Sequence, residues 1–164
     1  MGMLHSDAGE WDEADDTLGR ALALFEAQGN RAMIANVLVN QSEVACGRAH
    51  PEDAIRLCDL ALQTYADLGN EPGRCEALKW KGHGLQLLGE RRKAEEVLGE
   101  ALRTAKRLRL KLLEAETARE LGGSLMAGGE RAAGRRVLER ALRLFVELGA
   151  ERDAEAVRGE LGGS

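Results

Sequence analysis

The sequence is poor in aromatic residues and in proline. It has two tryptophans, one tyrosine and two phenylalanines among 164 residues, so aromatic side chains cannot fill most of a core. Alanine and leucine must take that role, which favours helices that pack at close range. Proline occurs only as Pro51 and Pro72, so long helices meet few residues that would break them. Both scarcities favour an all-α protein.

Paired cysteines, excess positive charge and long apolar runs are also missing. Cys46, Cys58 and Cys75 are odd in number and have no C-x-x-C spacing, so we expect reduced core residues of a cytoplasmic protein. The net charge of −5 argues against nucleic-acid binding. No apolar run approaches the roughly 18 residues of a membrane span, and the N-terminal stretch MGMLHSDAGEWDEADD lacks the regions of a signal peptide. We therefore expect no membrane association.

The sequence contains none of the common catalytic or metal-binding motifs. It has no glycine-rich phosphate loop, no G-x-S-x-G and no H-E-x-x-H, and its cysteines and histidines do not cluster at metal-ligand spacing. We therefore predict a protein that is not an enzyme and that has no catalytic residues, no metal site and no cofactor.

What the sequence does contain is a 40-residue repeat. ALALFEAQGN (21–30) is matched forty residues later by ALQTYADLGN (61–70) and eighty residues after that by ALRLFVELGA (141–150). Apolar residues within a unit recur at i, i+4, i+7, i+8 and i+11, which is the stripe of one helix, here named helix B. Three of its columns are Ala14, Ala54, Ala94 and Gly134; Leu18, Cys58, Leu98 and Leu138; and Ala21, Ala61, Ala101 and Ala141.

A second helix, named helix A, occupies the remainder of each unit. Glycine inside a helix costs roughly 1 kcal/mol against alanine. Its recurrence at one column therefore predicts that a neighbouring helix approaches closely there. Helix A is predicted at about 31–46, 71–87 and 111–127, with its small-residue column at Ser42, Gly82 and Gly122.

The turn from helix B to helix A has its own residue pattern, which one unit lacks. Gly29, Gly69 and Gly149 stand where a left-handed residue ends a helix, and Asn30 and Asn70 can cap the next one. In the third unit Arg109 replaces the glycine. The left-handed conformation is disfavoured by about 1 kcal/mol for arginine, so this junction should either avoid it or be strained.

These elements predict an α-solenoid of about four antiparallel helix pairs. Each unit of such an array buries its apolar stripe against its neighbours, so we expect one continuous array without separate domains. The array should span residues 1–164, with units at about 1–30, 31–70, 71–110 and 111–150 and a partial capping helix at 151–164.

The columns resemble a known family of repeats. A small residue on helix A is followed by G-E-x-x-x-A and then by Ala-Leu, most clearly in LGERRKAEEVLGEAL (88–102). This pattern resembles the tetratricopeptide repeat (TPR), although the usual period is 34 residues. Units of 40 residues resemble those of large bacterial regulators such as MalT-like activators. HEAT repeats, which have a similar period, are the alternative. The TPR resemblance implies a right-handed superhelix whose inner groove is lined by the A helices.

Carrying the resemblance over by register assigns a set of groove residues. Lys79 and Arg119 lie one repeat apart and favour an acidic peptide or anionic ligand, although Glu43 does not suit a site that grips a carboxylate. The alternative is a solvated face with i,i+3 ion pairs. The groove residues implied are Asn36, Val39, Glu43, Glu76, Lys79, His83, Gln86, Glu116, Arg119 and Met126.

The sequence and the resemblance together favour a non-enzymatic scaffold for protein–protein interaction. It would serve as the interaction or sensor segment of a larger bacterial regulatory protein and bind a peptide or protein in the A-helix groove. Two alternatives remain: a module that senses a small molecule, and a module that forms homo-oligomers by stacking through its open ends.

Overall fold

The computed structural model describes residues 8–163, which form eight helices joined by short turns. In chain order they are α1 (Ala8–Ala27), α2 (Arg31–Gly47), α3 (Pro51–Leu68), α4 (Glu71–Leu87), α5 (Arg91–Leu108), α6 (Lys111–Ala127), α7 (Arg131–Glu147) and α8 (Glu151–Gly162). The odd-numbered helices are of type B and the even-numbered helices of type A. The ranges predicted for the A helices agree with α2, α4 and α6 to within a residue.

The helices pack in chain order as a solenoid. Each helix contacts the next one, and α4 also contacts both α2 and α6. The described residues contain no strand, so the predicted all-α solenoid of helix pairs is confirmed. None of the described helices combines the length and the apolarity needed to cross a bilayer.

The small-residue column exists because the helices approach closely there. A Cβ atom added to Gly82 would lie 2.5 Å from Cγ of Leu98, and one added to Gly122 would lie 2.7 Å from Cγ of Leu138. In the earlier unit, Ser42 accepts a hydrogen bond from the Cys58 thiol at 3.3 Å. The predicted close approach is therefore confirmed, and each small residue faces the B helix that follows it.

The cysteines are core residues, as predicted. Cys46, Cys58 and Cys75 are buried free thiols. Burial raises the pKa of the Cys46 thiol to about 12 and the pKa values of the other two to about 11. These thiols stay protonated at neutral pH, so they act as small apolar side chains.

The turns show that the third junction is strained. Asn30 and Asn70 cap their helices through Oδ1, which accepts from the backbone N–H groups of Met33 and Gly73. Arg109 adopts φ 57° and ψ 34°, the left-handed conformation that Gly69 adopts at φ 63°. Of the two outcomes expected for this junction, the chain keeps the turn and places a non-glycine residue in it.

Candidate binding groove

Three adjoining cavities follow the A helices. The first, of about 660 Å³, lies between α2, α4 and the start of α6. The second, of about 210 Å³, lies farther along α4 and α6, and the third, of about 480 Å³, reaches α8. We call this surface the A-helix groove. The first two cavities share Glu43, Lys79, Trp80 and Glu116, and the last two share Arg119 and Glu120.

Eight of the ten residues assigned by register line these cavities, and two do not. Val39 is 1% exposed and packs in the core with Tyr65 and neighbouring alanines. Met126 packs against the core between α6 and α7. The eight that line the groove are Asn36, Glu43, Glu76, Lys79, His83, Gln86, Glu116 and Arg119.

Side-chain length explains why one repeat column behaves differently in successive units. Val39 and Lys79 occupy the same column, and Lys79 is itself only 8% exposed. The column therefore points towards the core, and a short side chain stays there. The longer lysine extends its aliphatic stem past the core and brings its ammonium group to the groove.

The Lys79 ammonium is held between two groove residues. Its Nζ lies 2.6 Å from Oε2 of Glu116 and 4.8 Å from the ring centroid of Trp80. A carboxylate and an aromatic face are the two groups that attract an ammonium ion in this geometry. Lys79 is therefore neutralised by its own protein and is not a free cation in the groove.

Arg119 is neutralised in the same way by α8. Its Nε donates to Oε1 of Glu160 at 2.7 Å, and its Nη1 lies 3.8 Å from Oδ1 of Asp153. The i,i+3 pairs of the alternative interpretation, a solvated face, do not form within the A helices in the described part of the chain. The ion pairs instead join successive A helices, because side chains of neighbouring helices meet across the groove.

A histidine and a glutamate form a third link between A helices. Nδ1 of His83 lies 2.9 Å from Oε2 of Glu120, and the amide of Gln86 donates to the Glu120 carbonyl oxygen at 3.0 Å. The hydrogen bond to Glu120 raises the pKa of His83 although burial opposes it. Burial raises the pKa of Glu120, but the hydrogen bond and charge of His83, together with nearby cations, lower it overall. The contact therefore favours the protonated imidazole of His83 and the ionised carboxyl of Glu120.

Two groove carboxylates have no such partner. Glu43 and Glu76 form no hydrogen bond or ion pair among the described residues. The pKa of Glu43 is raised by burial, and the carboxylates of Glu76 and Glu116 raise it further, against the lowering effect of Lys79. The uncompensated charge in the groove is therefore negative.

Several groove residues were missed by the sequence reasoning. Trp80 lines both of the first two cavities, and Glu120 and Asp153 line the second. Trp80 resembles a core residue in sequence, but its repeat column also contains the polar residues Asn40 and Glu120. That column was the available signal that Trp80 lies at the groove.

Comparison with known proteins assigns neither a family nor a function to this chain. No protein-family model matches the sequence, and no curated protein matches it. Among residues 8–163, no group of three or more histidine, cysteine, aspartate or glutamate side chains is arranged to hold a metal ion.

Proposed function

We propose that this chain is a TPR-like interaction module that binds an extended segment of a partner protein along the A-helix groove. The proposal includes a place in a larger bacterial regulatory protein, because the 40-residue units resemble those of such regulators. The TPR columns of the sequence support the family, and the groove supports the binding mode.

The observation that supports binding most directly is the continuity of the groove. Its three cavities adjoin through shared residues and run from Asn36 on α2 to Glu160 on α8. They are lined by amide, carboxylate and aromatic side chains, which are groups that orient a peptide by hydrogen bonds and ring contacts. A long trough of this kind suits an extended peptide better than a single compact ligand.

The outer face of α8 favours partner binding in the groove over self-association by stacking through the ends of the solenoid. Glu155 and Arg158 are exposed on α8, at the repeat positions where α6 has the fully buried Ala115 and Ala118. A second copy that extended the solenoid from α8 would have to bury these two charged side chains. Burying unpaired charges is costly, so the α8 face resembles the polar face of a capping helix.

Site-specific photo-crosslinking tests the proposal. A photoreactive amino acid is placed at Glu76, which is exposed in the groove, or at Arg103, which is exposed on α5. Cells expressing each variant are irradiated, and the adducts are identified by mass spectrometry. We expect one protein to be captured from the groove position and not from α5. Capture of a protein from Arg103 and not from Glu76 would place the interaction on the outer B-helix face and refute the proposal.

A further inference from the structure

We infer that the A-helix groove selects a cationic partner segment, with a lysine or arginine side chain bound at Glu76 and Glu43 beside Trp80. This inference rests on the proposed function, because it names the chemistry of the partner that the groove would bind. It reverses the expectation of an acidic partner that the sequence suggested.

The argument begins with a contact rule between successive A helices. Lys79 reaches Glu116, which lies 37 residues later, and His83 reaches Glu120 at the same separation of 37 residues. One helix therefore supplies a basic side chain and the next supplies a carboxylate. This rule describes the contacts between α4 and α6.

The same rule fails one unit earlier, between α2 and α4. Glu76 occupies in α4 the repeat position that Glu116 occupies in α6. Lys79 stands 37 positions before Glu116, but the residue 37 positions before Glu76 is Val39. Valine has no ammonium group, and its side chain is buried in the core. Glu43 likewise stands in the column of His83 and adds a carboxylate where α4 has an imidazole. The contact between α2 and α4 therefore has carboxylates but not the basic side chains of the α4–α6 contact. The two lysines that line the first cavity, Lys79 and Lys111, are already paired with Glu116 and Glu147.

Lys79 shows how an ammonium group binds to such acceptors. Its Nζ is held by one carboxylate oxygen at 2.6 Å and faces the Trp80 ring at 4.8 Å. Trp80, Glu43 and Glu76 all line the first cavity, which has about 660 Å³ of space. A partner's lysine or arginine in that cavity would meet the same kinds of group that hold Lys79.

An acidic segment would meet groove cations that already have carboxylate partners. It would have to compete with Glu116 for the ammonium of Lys79, and with Glu160 and Asp153 for the guanidinium of Arg119. Each displaced carboxylate would lose its partner, and Glu43 and Glu76 would repel the ligand. Charge complementarity therefore favours the cationic segment.

The test compares two peptides of opposite charge with blocked ends, a Gly-Arg repeat and a Gly-Glu repeat of equal length. Binding to the full chain is measured by calorimetry at physiological salt. The indole N–H signal of Trp80, assigned with the Trp11→Phe variant, reports contact in the groove by NMR. We expect the Gly-Arg peptide to bind and to shift that signal.

Matched variants separate the groove from the overall charge of the protein. Glu43→Gln with Glu76→Gln should weaken Gly-Arg binding roughly tenfold, since two ion pairs are lost. Glu52→Gln with Glu96→Gln changes the net charge equally on the exposed faces of α3 and α5 and should have little effect. Val39→Lys, which supplies the absent internal ammonium, should also weaken binding, and Val39→Met controls for its effect on packing.

Each result has a defined meaning. Absence of Gly-Arg binding, or equal weakening by the two double variants, overturns the inference of a cationic site. Binding of the Gly-Glu peptide with a shift of the Trp80 signal overturns the charge assignment and leaves the groove as a binding site. If the crosslinked partner maps to α5, the proposed function itself is wrong.

Discussion

Replacing Arg109 with glycine is expected to stabilise the protein by about 1 kcal/mol. Arg109 adopts φ 57°, where the Cβ of an L-residue crowds the backbone and glycine has no Cβ. The side chain is exposed and forms no hydrogen bond or ion pair among the described residues. Its removal therefore sacrifices no such contact.

The backbone of the turn should be unchanged by this substitution. The N–H of Arg109 donates to the Lys106 carbonyl oxygen at 3.2 Å, and the N–H of Leu110 donates to that of Ala105 at 3.0 Å. The turn at Gly69 has the equivalent bonds at 3.3 Å and 2.9 Å. Glycine therefore fits this geometry, and the melting temperature should rise by about 2–4 °C for a chain of this size.

Urea unfolding followed by circular dichroism measures the change, with two controls. Arg109→Ala removes the same side chain but keeps Cβ, so it should leave the free energy of unfolding nearly unchanged. Arg103→Gly makes the same substitution at an exposed position in the interior of α5 and should destabilise by about 1 kcal/mol. The explanation by strain in the left-handed turn is wrong if Arg109→Gly destabilises the protein, or if Arg109→Ala stabilises it as much as Arg109→Gly does.

Three further predictions concern the core and the groove. Ala101 is fully buried and its carbonyl oxygen accepts from the Cys75 thiol, so Ala101→Leu should cost roughly 1–3 kcal/mol by overpacking; an unchanged melting temperature would contradict this. The hydroxyl of Thr117 is buried and has no hydrogen-bond partner among the described residues, so Thr117→Val should stabilise the protein by about 1 kcal/mol. A loss of stability in urea unfolding would show that the hydroxyl is hydrogen-bonded. The pKa of His83 is raised above its ordinary value near 6.5. Its contribution to stability is therefore full below pH 6.5 and lost as pH rises through the folded-state pKa. Because His83 is about a third exposed, wild-type protein should lose under about 1 kcal/mol over that range relative to His83→Gln, and parallel pH profiles would contradict the pairing.

The solenoid could be predicted because its determinants lie close together in sequence. Apolar spacing within one unit defines a helix, and the turn residues define its end. The small-residue column was also predictable, since Gly82 and Gly122 recur at one register and their cost implies a neighbouring helix. Even the anomaly at Arg109 was visible, because three other units place glycine at the same position.

The groove was less predictable because its charges pair over long separations. Glu116 is 37 residues from Lys79, and Glu160 is 41 residues from Arg119. Sequence reasoning considered i,i+3 pairs within one helix, where the spacing is fixed by helix geometry. Pairs between helices depend on how far and at what angle neighbouring units are displaced, which the repeat period alone does not specify.

The contacts that join the A helices also decide which charges remain for a partner. Lys79 links α4 to α6 through Glu116, and in doing so it removes itself as an anion site. Val39, one unit earlier, forms no such link and leaves the Glu76 carboxylate without a cation. A single column of the repeat therefore controls both the connection between units and the charge of the groove. Substitutions in this column should be judged on both effects, because a lysine that strengthens the contact between α2 and α4 would also fill the site inferred for the partner.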